Sequence, residues 1–136
     1  MDAALLDTDI LSELLKQRNL VVRAKAADYL RANGQFTLSA FTRFEVTRGY
    51  KEKFAINLLS RFDTFCSHSL ILPVTESVLD RAGDLWAIGR RGGHSQNDAD
   101  LIIAATAIEA NLTLVTGNTS HFSWIPGLKL DDWRNS

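Results

Sequence analysis

Apolar positions along this chain come in two patterns, short continuous blocks and longer stretches in which apolar residues recur three and four apart. The first block, AALLD (3–7), reads as a buried strand that runs into a helix with Ile10, Leu11, Leu14 and Leu15 on one face. VVRAKAADYLRAN (21–33) predicts a second helix closed by Gly34, a residue that tolerates the left-handed conformation of a helix end. QFTLSA (35–40) has the β-branched and aromatic bias of a strand, and helical character returns from Phe41 to about Lys51. AINLLSRFDTFC (55–66) is amphipathic, with Ile56, Leu59, Phe62 and Cys66 at helical spacing, and SLILPV (69–74) follows as a strand. Thr75 opens a helix striped by Val78, Ala82, Leu85 and Trp86 that stops at RRGG (90–93). DLIIAATAIEA (100–110) is apolar on nearly every side and predicts a helix buried between layers, with LTLVT (112–116) as a further strand. Strands alternating with helices imply an α/β fold of three layers, with a mainly parallel central sheet of four to five strands.

Composition narrows the function classes. The 136 residues suit one domain spanning 1–136, and no repeat or low-complexity tract divides them. Fifteen Lys and Arg against sixteen Asp and Glu exclude a protein that holds nucleic acid by bulk charge, so such a partner would need a local basic patch. One cysteine, Cys66, excludes an internal disulfide framework and reads as a core residue. No signal-peptide pattern or membrane-spanning apolar run is visible, so the expected setting is cytoplasmic, without a membrane partner.

Candidate chemistry gathers where strands end. LLDTDILSELL (5–15) closes an apolar strand with Asp7 and Asp9, two residues apart. Helix capping by Asp7, Thr8 or Asp9 accounts for one of these acids and leaves the other without a structural duty. Thr116, Gly117 and Asn118 end the LTLVT strand, and open α/β sheets bind ligands at this carboxyl rim. In QNDADL, Asn97 or Asp98 is a ready cap and Asp100 lies in the first turn, where the helix dipole favours negative charge. Glu45 sits inside the helix 41–51 on a stripe with Phe41 and Gly49, beside Phe44, and requires a partner. Arg48 or Arg43 would make an ordinary ion pair. Should Asp7, Glu45 and Asp100 converge, a divalent cation would relieve their repulsion, and oxygen donors select Mg²⁺ or Mn²⁺ over zinc. His68, His94 and His121 are scattered and read as surface residues or as residues behind the ligands.

LLDTDILSELL, FEVTRGY, NDADLIIAATA, LTLVTGNTSHF and IPGLKLDDW, taken in order and spacing, resemble PIN-domain ribonucleases, in particular the VapC-type toxins of type II toxin–antitoxin modules. The resemblance implies a metal held by Asp7, Glu45 and Asp100, with Asp98 an extra acid at the mouth. It puts Asn118 where many relatives carry a fourth acid and others an Asn. Thr8, Asp9 and Thr116 would support the ligands, Asp9 standing where an Asn is common in the family. It implies cleavage of RNA, a tRNA loop being a suitable form, by water activated at the metal, with Arg43, Arg48, Lys51, Arg90 and Arg91 as candidate grips for the backbone. A homodimer and a cognate VapB-type antitoxin are its implied partners.

Two other readings compete. Asp7 and Asp9 mimic the Asp-x-Asp of haloacid-dehalogenase-like phosphatases, although Leu11 stands where Thr or Val would be wanted. A non-catalytic α/β interaction module would use the acids as caps alone, and would gain no specific stability from Mg²⁺ or Mn²⁺.

Overall fold

The computed structural model describes residues 1–135, so the final residue of the domain expected over 1–136 lies outside the described part. Among the described residues, five strands and seven helices follow one another in the order β1 Ala4–Leu6, α1 Thr8–Lys16, α2 Leu20–Asn33, β2 Thr37–Ser39, α3 Ala40–Glu52, α4 Ile56–Ser67, β3 Leu70–Leu72, α5 Glu76–Arg91, α6 Asp98–Glu109, β4 Thr113–Val115, α7 Thr119–Phe122 and β5 Leu130–Asp131. All strand pairs are parallel: β1 with β4, β4 with β5, and β2 with β3. The two ladders are hydrogen-bonded separately, but β2 lies alongside β1, giving the layer order β3-β2-β1-β4-β5. The expected α/β class and parallel sheet are observed, with β5 as an added edge strand.

Side-chain alternation fills the space on both faces. Leu6 and Val115 point into a cluster with Ile10, Leu11, Val22, Tyr29, Leu38, Phe62 and Trp133. Their neighbours Leu5 and Leu114 point the other way, to Val78, Leu85, Leu101, Ile103 and Phe122. A period of two in strands buried on both sides requires this division, and it places helices on each face. Cys66 is buried in the first cluster, as its helical spacing predicts.

β1 and β2 are short because polar caps end them at once. Asp7 ends β1 and caps α1, while Ser39 both ends β2 and caps α3, accepting from Phe41 N–H at 3.0 Å. Asn97 caps α6 by accepting from Asp100 N–H at 2.8 Å, and Thr75 caps α5. Gly34 closes α2 at φ 86, a left-handed geometry that a side chain would strain. α6 is buried nearly all round through Leu101, Ile103, Ala104, Ala105, Thr106 and Ala107, which fixes Asp100 at its tip. Among the described residues no helix is long and apolar enough to cross a membrane.

Candidate functional site

Asp7 is the centre of the carboxyl rim. Its N–H donates to Val115 O at 2.9 Å, extending the β1–β4 pairing by one residue and fixing the backbone from which the side chain departs. Oδ1 accepts from Thr8 N–H at 2.8 Å, and Oδ2 accepts from the Thr116 hydroxyl at 2.8 Å. Thr116 Oγ1 in turn accepts from Asn118 N–H at 3.1 Å. Asp7 is only 7% exposed. Burial, with the charges of Asp9 and Asp100, pushes its pKa up to about 6, against the lowering effect of the Thr116 and Thr8 hydrogen bonds.

Thr8 connects Asp7 to the second acid. Its hydroxyl donates to Glu45 Oε1 at 3.0 Å and lies 3.4 Å from the hydroxyl of fully buried Thr42. Glu45 is half-buried on α3, and Arg48 Nη2 approaches its Oε2 at 3.9 Å. Glu45 thus has the expected Arg48 and, at hydrogen-bonding distance, a threonine from another element that local spacing could not reveal.

Asp100 joins from α6. Its Oδ2 lies 3.2 Å from His121 Nε2, and burial raises its pKa in spite of the imidazole, with Asp9 adding to the rise. His121, three residues after Asn118, is exposed, as a surface residue would be, and lies against Asp100. Asp9 is exposed and bridges two elements, accepting from Ile10 N–H at 2.7 Å and from Gly117 N–H at 2.9 Å.

Hydrogen bonds therefore join Asp7 to Thr8, Glu45, Thr116 and the Asn118 backbone, and electrostatics couple it to Asp9 and Asp100. The exposed Asn118 side chain makes no capping hydrogen bond. Asp98 is exposed and lines a shallow groove with Leu79, Ala82, Trp86, Leu101 and Ile102, on the α5 side of α6. Arg43 pairs with Asp63 at 3.9 Å, Arg90 covers the Trp86 ring, and Lys51 and Arg91 are exposed in last helical turns. Among the described residues, Arg48 alone of these five basic groups forms an ion pair with one of the three acids; it also covers the Phe44 ring.

The donor set consists of hard oxygens in a field that already disfavours ionised Asp7, which suits a small divalent cation. Among the described residues no three His, Cys, Asp or Glu side chains are yet gathered as an ion would need them. The acids share a rim and its electrostatics; holding one ion together would require side-chain movement.

A family model for the PIN domain matches residues 4–126, and the chain belongs to the PIN-domain family. It is 30% identical over 103 residues to Ribonuclease VapC19 of Mycobacterium tuberculosis, covering 76% of this chain and 79% of that one. It is 27% identical over 130 residues to the tRNA(fMet)-specific endonuclease VapC of Shigella flexneri, covering 95% and 96%. The solved structure of VapBC2 from Rickettsia felis, bound to a DNA fragment from its promoter, matches at TM-score 0.86 and 26% identity over 96% of this chain and 98% of that one. Within the PIN family the chain is thus of the VapC ribonuclease-toxin type. That assignment displaces the phosphatase and interaction-module alternatives.

Proposed function

We propose that this chain is the toxin of a VapBC-type module and cleaves RNA endonucleolytically with Mg²⁺ or Mn²⁺ held by Asp7, Glu45 and Asp100. The observation that carries this reading is the buried Asp7 carboxyl, raised to about 6 by burial and by Asp9 and Asp100, and joined through Thr8 to Glu45. A cation there would lower the cost of ionised acids, polarise the phosphate and activate water for in-line attack.

The chain's own groups orient that chemistry. Thr116 and Thr8 hold both Asp7 oxygens, so the carboxylate rotamer is set before an ion arrives. His121 holds Asp100, and Asn118 offers a neutral oxygen to a ligand or to water. Asp98, facing the α5 groove, adds negative potential at the mouth. Arg48 stands beside Glu45 where a backbone phosphate would enter, and Arg43, Lys51, Arg90 and Arg91 are further candidate grips for the RNA backbone.

The Shigella relative's name supports a tRNA substrate, and single-stranded loops suit an open rim because their bases can be splayed. The VapBC2 neighbour supports a VapB-type antitoxin as partner. Exposed Leu20, Phe54 and Ile56, at 72, 86 and 76% exposure, supply apolar surface for antitoxin or homodimer contacts.

The test is cleavage by purified protein freed of antitoxin. A bulk tRNA preparation should be cut in Mg²⁺, left intact in EDTA, and left intact by D7N that remains folded. Undiminished cutting by D7N overturns the assignment.

A further inference from the structure

We propose that Asp9, Gly117 and Arg134 form a clasp that fixes the turn between β4 and α7, so that Arg134 is a positioning residue for Asp7, acting through Thr116. The inference rests on the metal-site reading above.

Both peptide groups of Gly117 are gripped. Asp9 Oδ2, reaching across from α1, accepts from Gly117 N–H at 2.9 Å, and Arg134 Nη2 donates to the Gly117 carbonyl. Arg134 is itself held in plane: Nε lies 3.1 and 3.3 Å from the two Asp132 oxygens, and Nη2 lies 3.0 Å from Oδ2. Asp132 also accepts from Arg134 N–H at 2.9 Å. This arm stands on rigid ground, because β5 is paired with β4 and Trp133, between Asp132 and Arg134, is buried to 1% exposure. Asp9 and Glu13 of α1 add to the negative field on the guanidinium.

The gripped turn carries the residue that orients Asp7. Thr116, immediately before Gly117, donates to Asp7 Oδ2, and Asn118, immediately after it, donates to Thr116 Oγ1. Rotation of the Gly117 peptides would disturb both bonds. Glycine leaves room for the clasp: a Cβ would lie 2.6 Å from Asp9 Oδ2, 2.7 Å from Arg134 Cζ and 2.9 Å from Arg134 Nη1. These atoms are the ends of flexible side chains, so alanine would push the jaws apart without displacing backbone.

R134A and G117A therefore open the same clasp from opposite sides. In RNA-free protein, calorimetry should show each variant binding Mn²⁺ about 10- to 100-fold more weakly, the effect seen when groups behind metal ligands are lost. The double variant should be no weaker than either single one. Hydrogen exchange at the Gly117 and Asn118 amides should accelerate, the thermal midpoint in EDTA should hold, and kcat on RNA should fall at unchanged KM. Wild-type Mn²⁺ affinity in both single variants, or unchanged amide exchange, overturns the clasp. Faster exchange with unchanged Mn²⁺ affinity overturns its positioning role while leaving the metal site standing. Wild-type protein that takes up no Mn²⁺ overturns the metal reading and this inference with it.

Discussion

Replacing Asp7 by Asn should stabilise the ion-free protein at neutral pH. The folded carboxyl titrates at about 6, against 3.8 for an ordinary Asp, and burial is the largest cause. At roughly 1.4 kcal/mol per pH unit, the gap corresponds to about 3 kcal/mol of folding free energy forfeited by the ionised form. The sign follows from proton linkage: between 3.8 and about 6 the folded state binds more protons than the unfolded chain, so stability falls as pH rises through that window. The contribution is fully present below 3.8 and gone above about 6. An Asn side chain keeps the shape and an oxygen for Thr8 N–H without the charge, so D7N lacks the decline. Urea unfolding in EDTA should give similar stabilities at pH 3.5 and a D7N advantage approaching about 3 kcal/mol at pH 7.5. The difference between the two proteins cancels titrating groups that do not couple to Asp7, such as Asp132, whose pKa is lowered by Arg134. Adding Mn²⁺ should reverse the order, since an ion at one thousand times its Kd adds about 4.1 kcal/mol to the wild type alone. A D7N protein less stable than wild type in EDTA at pH 7.5 would refute the claim that Asp7 is an electrostatic liability without an ion.

T116V removes the hydroxyl that favours ionised Asp7, so carbon-detected NMR should show the Asp7 carboxyl titrating above about 6. H121A removes the imidazole that restrains Asp100, so the Asp100 carboxyl should titrate higher by the same measurement, and Mn²⁺ affinity should fall about 10-fold or more. I103A empties a fully buried position beneath the sheet and should cost about 2–5 kcal/mol in urea unfolding.

Much of this arrangement was legible in the sequence because strand ends and helix caps coincide in it. Asp7, Asn97, Thr75 and Gly34 terminate elements where local chemistry predicts, and the apolar circumference of 100–110 announces a helix enclosed by the fold. Spacing within α3 could show that Glu45 needed a partner, but Thr8 lies 37 residues away in sequence and is brought close only by packing. His121 carried a faint signal in TGNTSHF, beside residues expected at the rim. Arg134 carried none: it lies one residue beyond the IPGLKLDDW block, and its role depends on β5, a two-residue strand too short for any periodicity. Arg90 illustrates the opposite case, since charge alone suggested a phosphate contact and the structure adds a Trp86 ring beneath it.

The helix that presents Asp100 is enclosed by Leu101, Ile103, Ala104 and Ala105, with alanines where larger side chains would not fit. An enlarged residue at either alanine must displace its neighbours or shift the rod, and a shift of the rod swings the acid at its tip. If Asp100 holds the proposed ion, random mutagenesis screened for survival of the host would recover detoxified variants far from the rim, still folded, whose only fault is an acid aimed slightly astray.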